Sequence, residues 1–347
     1  MFISFVSSSI SGKSLIKMGG SLTTPTALQM TDVAPNRWRE PMNLLKRTLA
    51  PQGGEEVRKG VLALIATTML WGTSFVFIKL SVSTMDPTIY VGLRSLLALF
   101  LMFLIFLTSS VLNKKNQRLI SRDLYKGFLI GVISSLGLFL QGEGAKYITP
   151  ATNAFITGLS TLHVHIYVAT RNKTYNILDL FSLILALGGL YLFARPGGVE
   201  LVGTLLVLAS TFFWAAQILM ISMYSRGDLN NLMLGYFAAG ALFIFIAPIN
   251  SLHRLSIREW FYILYLAIFC SVAATLLQLY GQRFVSAKTA STIYLLEPFF
   301  AYLYSLIARE DYIDYLKILG GSLIVAGVYV AQYSEMKYSR NHSSTDS

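Results

Sequence analysis

Charge is scarce in this sequence. Asp, Glu, Lys and Arg make up 13% of 347 residues while hydrophobic side chains make up 54%, against roughly 25% charge in ordinary soluble domains. That shortage excludes a soluble globular protein. Cysteine is nearly missing: Cys270 stands alone, so no intramolecular disulfide forms and cysteine usage says nothing of redox compartment. There is no GxxxxGK[ST] stretch, which removes a P-loop ATPase. HExxH and GxSxG are missing too, which leaves an intramembrane enzyme without a catalytic constellation. Acidic residues are fewer than basic ones, 17 against 28, for a net charge of +11. In a soluble protein that excess would suggest nucleic acid, but here the basic residues sit at the ends of apolar runs and in an amino-terminal arm. Positive-inside bias is the simpler account, and nucleic acid is not an expected partner.

What is abundant is apolar sequence in lengths that suit a bilayer. A spanning helix needs about 20 apolar residues for a hydrocarbon core about 30 Å thick. Ten such segments can be cut, at about 59–80, 87–108, 124–146, 150–170, 177–195, 201–223, 231–250, 259–282, 288–308 and 315–334. The expected fold class is an all-α membrane protein. One stretch organises the rest: TLLQLYGQRFVSAKTASTIYLLEPFFAYLYSLIARED, from Thr275 to Asp311, where two apolar runs meet at Arg283 to Lys288 and the second carries Glu297-Pro298. Within a bilayer a proline is tolerated only where neighbouring helices or a cavity satisfy the freed backbone groups. The pattern predicts a helical hairpin with a break.

The same stretch has an earlier partner. A shift of about 137 residues lays Gln141 on Gln278, Gly144 on Gly281, Lys146 on Arg283, Thr149 on Ser286, Ile156 on Ile293 and Leu159 on Leu296. At nearby offsets Gly60 and Trp71 fall on Gly203 and Trp214, and Gly189 and Tyr191 on Gly327 and Tyr329. Five segments precede Pro196-Gly197-Gly198 and five follow it, so the reading is two repeats, 59–195 and 201–334. An odd number of spans per copy makes the second enter from the opposite side, an inverted repeat.

Residues 1–58 are rich in Ser, Thr, Pro and Gly and mostly basic; they read as a disordered cytoplasmic arm, with 335–347 as a cytoplasmic tail. The arm's Ser-rich, acid-poor composition also fits an organelle transit peptide, and Met18, Met30 and Met42 are alternative starts. Lys114, Lys115, Arg118, Arg122, Arg171, Lys173, Arg226, Arg283 and Lys288 fall on one side with Arg58, Lys59, Lys337 and Arg340. Lys79, Lys146, Arg195, Arg254, Arg258, Arg309 and Lys317 fall on the other. The balance places both termini in the cytoplasm. The expected membrane is the plasma membrane, or an organelle envelope if the arm is a transit peptide.

Ten spans in two copies, with LWGTSFVFIK (70–79), GLRSLLALF (92–100), LQGEGAKYITPATNAFITGL (140–159) and QRFVSAKTASTIYLLEPFFA (282–301), resemble the EamA-type members of the drug/metabolite transporter superfamily. The resemblance covers residues 59–334. It implies a ten-helix bundle around a central cavity, alternating access by rocking of the repeats, and export or exchange of small metabolites such as amino acids or related compounds. In the family the first copy often closes its fourth span with a proline and an acidic residue. Here that region reads LHVHIYVATRNKTYN, so the histidines take over the interest there. The competing function is a membrane sensor or scaffold that binds a metabolite without moving it.

Candidate site residues follow from polar groups inside spans. Arg94 lies too deep for snorkelling and suits an anionic substrate group or a fixed carboxylate. Asn153, Gln217, Gln278, Tyr280 and the repeat mates Trp71 and Trp214 could contact substrate, against a default of helix–helix bonding and packing. Glu143, His163, His165 and Glu297 are candidates for proton coupling or for structural roles. Glu143 stands one turn from Lys146, the spacing of an ordinary ion pair. His163 and His165 point about 200° apart on a helix, so they cannot jointly hold a metal, and at most one faces a cavity. Gly188-Gly189, Gly320-Gly321 and Gly327 read as packing, with a homodimer contact as an option. The expected partners are the lipid bilayer, a small-molecule substrate and, as a coupling option, a proton. No catalytic residue, metal or cofactor is assigned.

Overall fold

The computed structural model describes residues 54–112, 119–171, 175–194, 200–248, 255–307 and 313–343. The helices are α1 (Gly54–Val82), α2 (Pro87–Leu112), α3 (Ser121–Ala145), α4 (Pro150–Gly158), α5 (Ser160–Arg171), α6 (Ile177–Ala194) and α7 (Leu201–Tyr224). The series continues with α8 (Leu229–Ala241), α9 (Ile257–Tyr265), α10 (Ala274–Gly281), α11 (Ala287–Tyr294), α12 (Glu297–Ile307) and α13 (Tyr315–Ser343). A 3-10 turn, Leu242–Phe245, prolongs α8, and a π-helical stretch, Leu266–Ala273, joins α9 to α10 without a break.

Side-chain caps set several starts. Thr149 accepts from the Thr152 N–H ahead of α4, with Pro150 in the first turn where no donor is needed; its repeat mate Ser286 accepts from the Thr289 N–H ahead of α11. A Ser256–Glu259 capping box opens α9. The expected break is present: α11 ends at Tyr294 and α12 begins at Glu297, so Pro298 sits in a first turn and breaks no ladder bond. The first copy breaks at the matching place, Leu159, between α4 and α5, without a proline.

Among the described residues, six helices are long and apolar enough to cross a membrane: Gly54–Val82, Pro87–Thr108, Ser121–Ala145, Leu201–Tyr224, Ile257–Gly281 and Tyr315–Lys337. Of the other four expected spans, 177–195 appears as the shorter, undivided helix α6, and the breaks at Leu159 and Leu295-Leu296 and the 3-10 turn after α8 divide the rest. Two edges differ from the sequence reading. Helix α1 starts at Gly54, so residues 54–58 belong to a helix rather than to an arm, and α13 runs to Ser343 through most of the expected tail. Residues 1–53, Pro196-Gly197-Gly198, Lys114, Lys115, Arg118, Lys173, Arg195, Arg254 and Arg309 lie outside the described residues. Outward faces are apolar, with Leu62, Phe100, Phe181 and Phe212 exposed.

The two copies interlock. Helix α1 packs on α10 and α3 on α7; α1 packs on α12 as α7 does on α5; α2 meets the π-helical stretch as α8 meets α3; and α6 lies along α13. Each contact becomes another when the copies are exchanged, so a pseudo-two-fold axis runs through the bundle. Two glycine pairs let the backbones approach. A Cβ at Gly144 would stand 2.7 Å from the Gly203 carbonyl oxygen, and one at Gly281 would stand 2.9 Å from that of Gly60. Lys79 Nζ donates to the Ala145 and Lys146 carbonyls, which puts the ends of α1 and α3 together at what we term the far end. Gly203 therefore lies at the far end and its mate Gly60 at the near end. The second copy is inverted. Gly189 packs against the Gly320 backbone within the chain, so these glycines serve the α6–α13 contact and not a contact between copies of the chain.

Candidate functional site

On the pseudo-two-fold axis lies a cavity of about 980 Å³, open space at its mouth included. Its walls come from the two copies in matched pairs: Trp71 with Trp214, Ser74 with Gln217, Arg94 with Tyr236, Ser134 with Ser271, Thr157 with Tyr294, and Ser160 with Glu297. The pairing follows from the fold. Inverted copies crossing on one axis present the same helical faces to it, so many residues that line the cavity in one copy have mates that line it in the other, although Gln141 does and its mate Gln278 does not.

The pairs match in place but not in chemistry. Arg94 is the one cation and Glu297 the one carboxylate among the lining residues. Arg94 is 7% exposed, and its guanidinium spans three neutral acceptors: Nε donates to Ser271 Oγ at 2.6 Å, Nη1 to the Tyr90 hydroxyl at 2.6 Å and Nη2 to the Cys270 carbonyl at 3.0 Å. Five N–H groups are available to a guanidinium, which leaves two unused. The π-helical stretch supplies two of these partners, its wider turn aiming the Cys270 carbonyl and Ser271 inward, while Tyr90 stands one turn before Arg94 on α2. Trp71 Nε1 donates to the same carbonyl at 3.0 Å. The repeat mate, Trp214, has its Nε1 buried with no partner. Glu297 sits at the start of α12, with its carboxylate in a wall otherwise made here of Tyr294, Trp71 and Pro298.

Of the sequence candidates, Trp71, Arg94, Trp214, Gln217 and Glu297 line this cavity and the others do not. Gln278 stands behind Gln217 in a reciprocal amide pair, at 2.9 and 3.1 Å. Asn153 is fully buried and accepts from Gln141 and Thr157. Both hold helices together. Tyr280 faces outward, 36% exposed, with its ring against Phe284. Glu143 pairs with Lys146 at 2.9 Å on a partly exposed face. His163 stacks on Phe212 of α7. His165 points the other way, as their spacing requires, between the Tyr175 hydroxyl at 3.0 Å, the Lys288 carbonyl at 3.3 Å and Thr292 Oγ1 at 3.1 Å. A neutral ring with its proton on Nε2 satisfies these contacts, since a carbonyl only accepts. Burial raises the Tyr175 hydroxyl, in the connection after α5, to about 12, so it remains a donor.

Sequence reasoning missed Ser134, Ser271, Thr157, Ser160, Tyr236 and Tyr294. The signal lies in the repeat: each is the mate of another lining residue. Lys288, which the sequence places in a polar connection, is buried and ion-paired with Asp179 at 2.6 Å. Arg283, in the same connection, donates to the Ser225 and Gly227 carbonyls.

Comparison with known proteins gives the arrangement its context. The model of the EamA-like transporter family matches residues 58–195 and again 201–333. An uncharacterized transporter of Archaeoglobus fulgidus is 29% identical over 287 residues, covering 80% of this chain and 88% of the relative. The uncharacterized transporter YetK of Bacillus subtilis is 24% identical over 302 residues, 80% of this chain and 89% of the relative. A solved crystal structure, titled only as that of a protein, aligns with a TM-score of 0.62 at 18% identity, covering 78% of this chain and 96% of its own. That likeness speaks for the fold alone.

Proposed function

The chain belongs to the EamA-like transporter family, and on that premise we propose that it is a secondary carrier exporting or exchanging a small organic metabolite, such as an amino acid or related compound, by alternating access. The observation that carries the reading is the cavity on the pseudo-two-fold axis, lined by matched residues of both copies. Rocking two inverted copies about a fixed central site exposes it first to one side and then to the other. In this reading all ten segments cross the bilayer, the short and broken ones through their contacts with neighbours. The termini are cytoplasmic and the membrane is the plasma membrane, or an organelle envelope if the arm is a transit peptide.

Arg94 takes the anionic group of the substrate with its two unused N–H groups, and Trp71, Trp214 and Tyr294 flank the organic part. If a proton is coupled, Glu297 carries it, because Glu143, His163 and His165 lie off the cavity. A homodimer, if formed, uses a surface other than Gly189 and Gly320, which are spent within the chain. The test is counterflow in proteoliposomes with labelled metabolite pools, with and without a pH gradient. Saturable exchange of one class supports a carrier. Saturable binding without exchange by folded protein would favour the sensor or scaffold reading.

A further inference from the structure

From the cavity to the near end, the two copies are joined by a ladder of buried polar contacts along the seam between α5 and α11. Thr161, a lining residue, donates to the Ser291 carbonyl at 2.8 Å. One turn on, His165 contacts the Lys288 carbonyl and Thr292. Then Lys288 Nζ meets Asp179 Oδ2 at 2.6 Å, with side chains 6% and 2% exposed. Asp179 also accepts from Ser334 of α13 at 2.8 Å and from the Asn176 N–H at 2.9 Å. Beside it Glu335 accepts from Ser286 and Thr289. The ladder ties α5 and α6 of the first copy to α11 and α13 of the second.

At the far end the corresponding positions differ. Under the repeat, Lys288 corresponds to Ala151 and Asp179 to Lys317. Ala151 is exposed, and Lys317 lies over the Tyr302 ring at 4.7 Å. An alanine and a lysine cannot form the pair. A bundle that is pseudo-symmetric in shape thus carries this buried ion pair at one mouth and not at the corresponding positions of the other.

We propose that the Lys288–Asp179 pair, with Ser334 and His165 around it, is the near-end gate: it must break for the cavity to open there, and it biases the resting carrier toward the far end. Desolvated pairs of this kind resist loss of one partner strongly, because the other is left buried and charged. Weakening both charges together lowers the barrier without leaving one stranded. This inference rests on the alternating-access reading, but its test does not need the substrate.

The test uses the full chain with Cys270→Ser and a reporter, Ser134→Cys, in the cavity wall. A membrane-impermeant maleimide is applied to vesicles of each orientation, sealed and sorted by protease accessibility of a terminal tag. With the gate intact, labelling from the far-end face should exceed that from the near-end face at least tenfold. Adding Asp179→Asn with Lys288→Met should raise near-end labelling at least tenfold and lower far-end labelling, while Lys288→Arg should keep the original pattern. Ser334→Ala removes the hydrogen bonds to Asp179 and from Asn176 but no charge, and should raise near-end labelling two- to threefold, so it serves if the double variant does not fold. Folded variants with unchanged near-end labelling, or equal labelling of both faces with the gate intact, would overturn the proposal. Changed labelling in a protein that shows no flux would keep the gate and remove the carrier.

Discussion

Replacing Arg94 by lysine keeps the positive charge in the cavity and takes away the fork. The ammonium has three donors on one atom, whereas the guanidinium reaches Ser271, Tyr90 and Cys270 with three nitrogens and still holds two N–H groups back. Hydrogen bonds to charged groups contribute about 1.5–3 kcal/mol each. Losing both to an anionic substrate, with partial recovery through the new ammonium, should cost about 3 kcal/mol, or roughly 100-fold in affinity. The assay is counterflow with a transported anion and with its neutral amide analogue. The anion should lose the full factor and the amide less than about threefold, since only the charged form uses the fork. A thermal melt separates this from folding: Tyr90, fully buried, keeps a partner in the lysine variant if the ammonium reaches it. In Arg94→Ala it does not, at about 1–3 kcal/mol. Equal losses for both compounds, or wild-type transport of the anion, would refute a substrate contact.

Further expectations concern other parts of the bundle. Glu297→Gln should abolish any response of flux to an imposed pH gradient while leaving exchange measurable; Glu143→Gln should leave both unchanged, and a lost gradient response in Glu143→Gln would move the coupling site. The two tryptophan mates should separate: Trp71→Phe removes one of the two side-chain donors to the Cys270 carbonyl and should lower thermal stability by about 1 kcal/mol, whereas Trp214→Phe removes a buried N–H that has no partner and should be neutral or stabilising. Gly144→Ala puts a methyl group 2.5 Å from Val207 Cγ2 and 2.7 Å from the Gly203 carbonyl; overpacking of this kind costs about 1–3 kcal/mol, read as a lower melting temperature in detergent, and an unchanged melt would mean that α3 and α7 can move apart freely.

Composition and repetition determined the class of this protein before any coordinate. Scarce charge and long apolar runs leave a bilayer as the only solvent that suits the chain, and the match of Gly60 to Gly203 and Gly144 to Gly281 made two copies of an odd number of segments, hence an inverted pair. The break at Glu297-Pro298 was legible too, because proline cannot donate. What the sequence could not decide was which polar side chains share a space. Arg94 and Ser271 stand far apart in the chain, and only the crossing of α2 with the π-helical stretch puts them at 2.6 Å. Lys288 and Asp179 look like an interfacial charge and a helix-start carboxylate until the docking of α11 on α6 buries both. A helix offers several faces of similar polarity, and periodicity does not say which faces the axis. The tertiary fold makes that choice, since burial and hydrogen bonding depend on neighbours that only packing supplies.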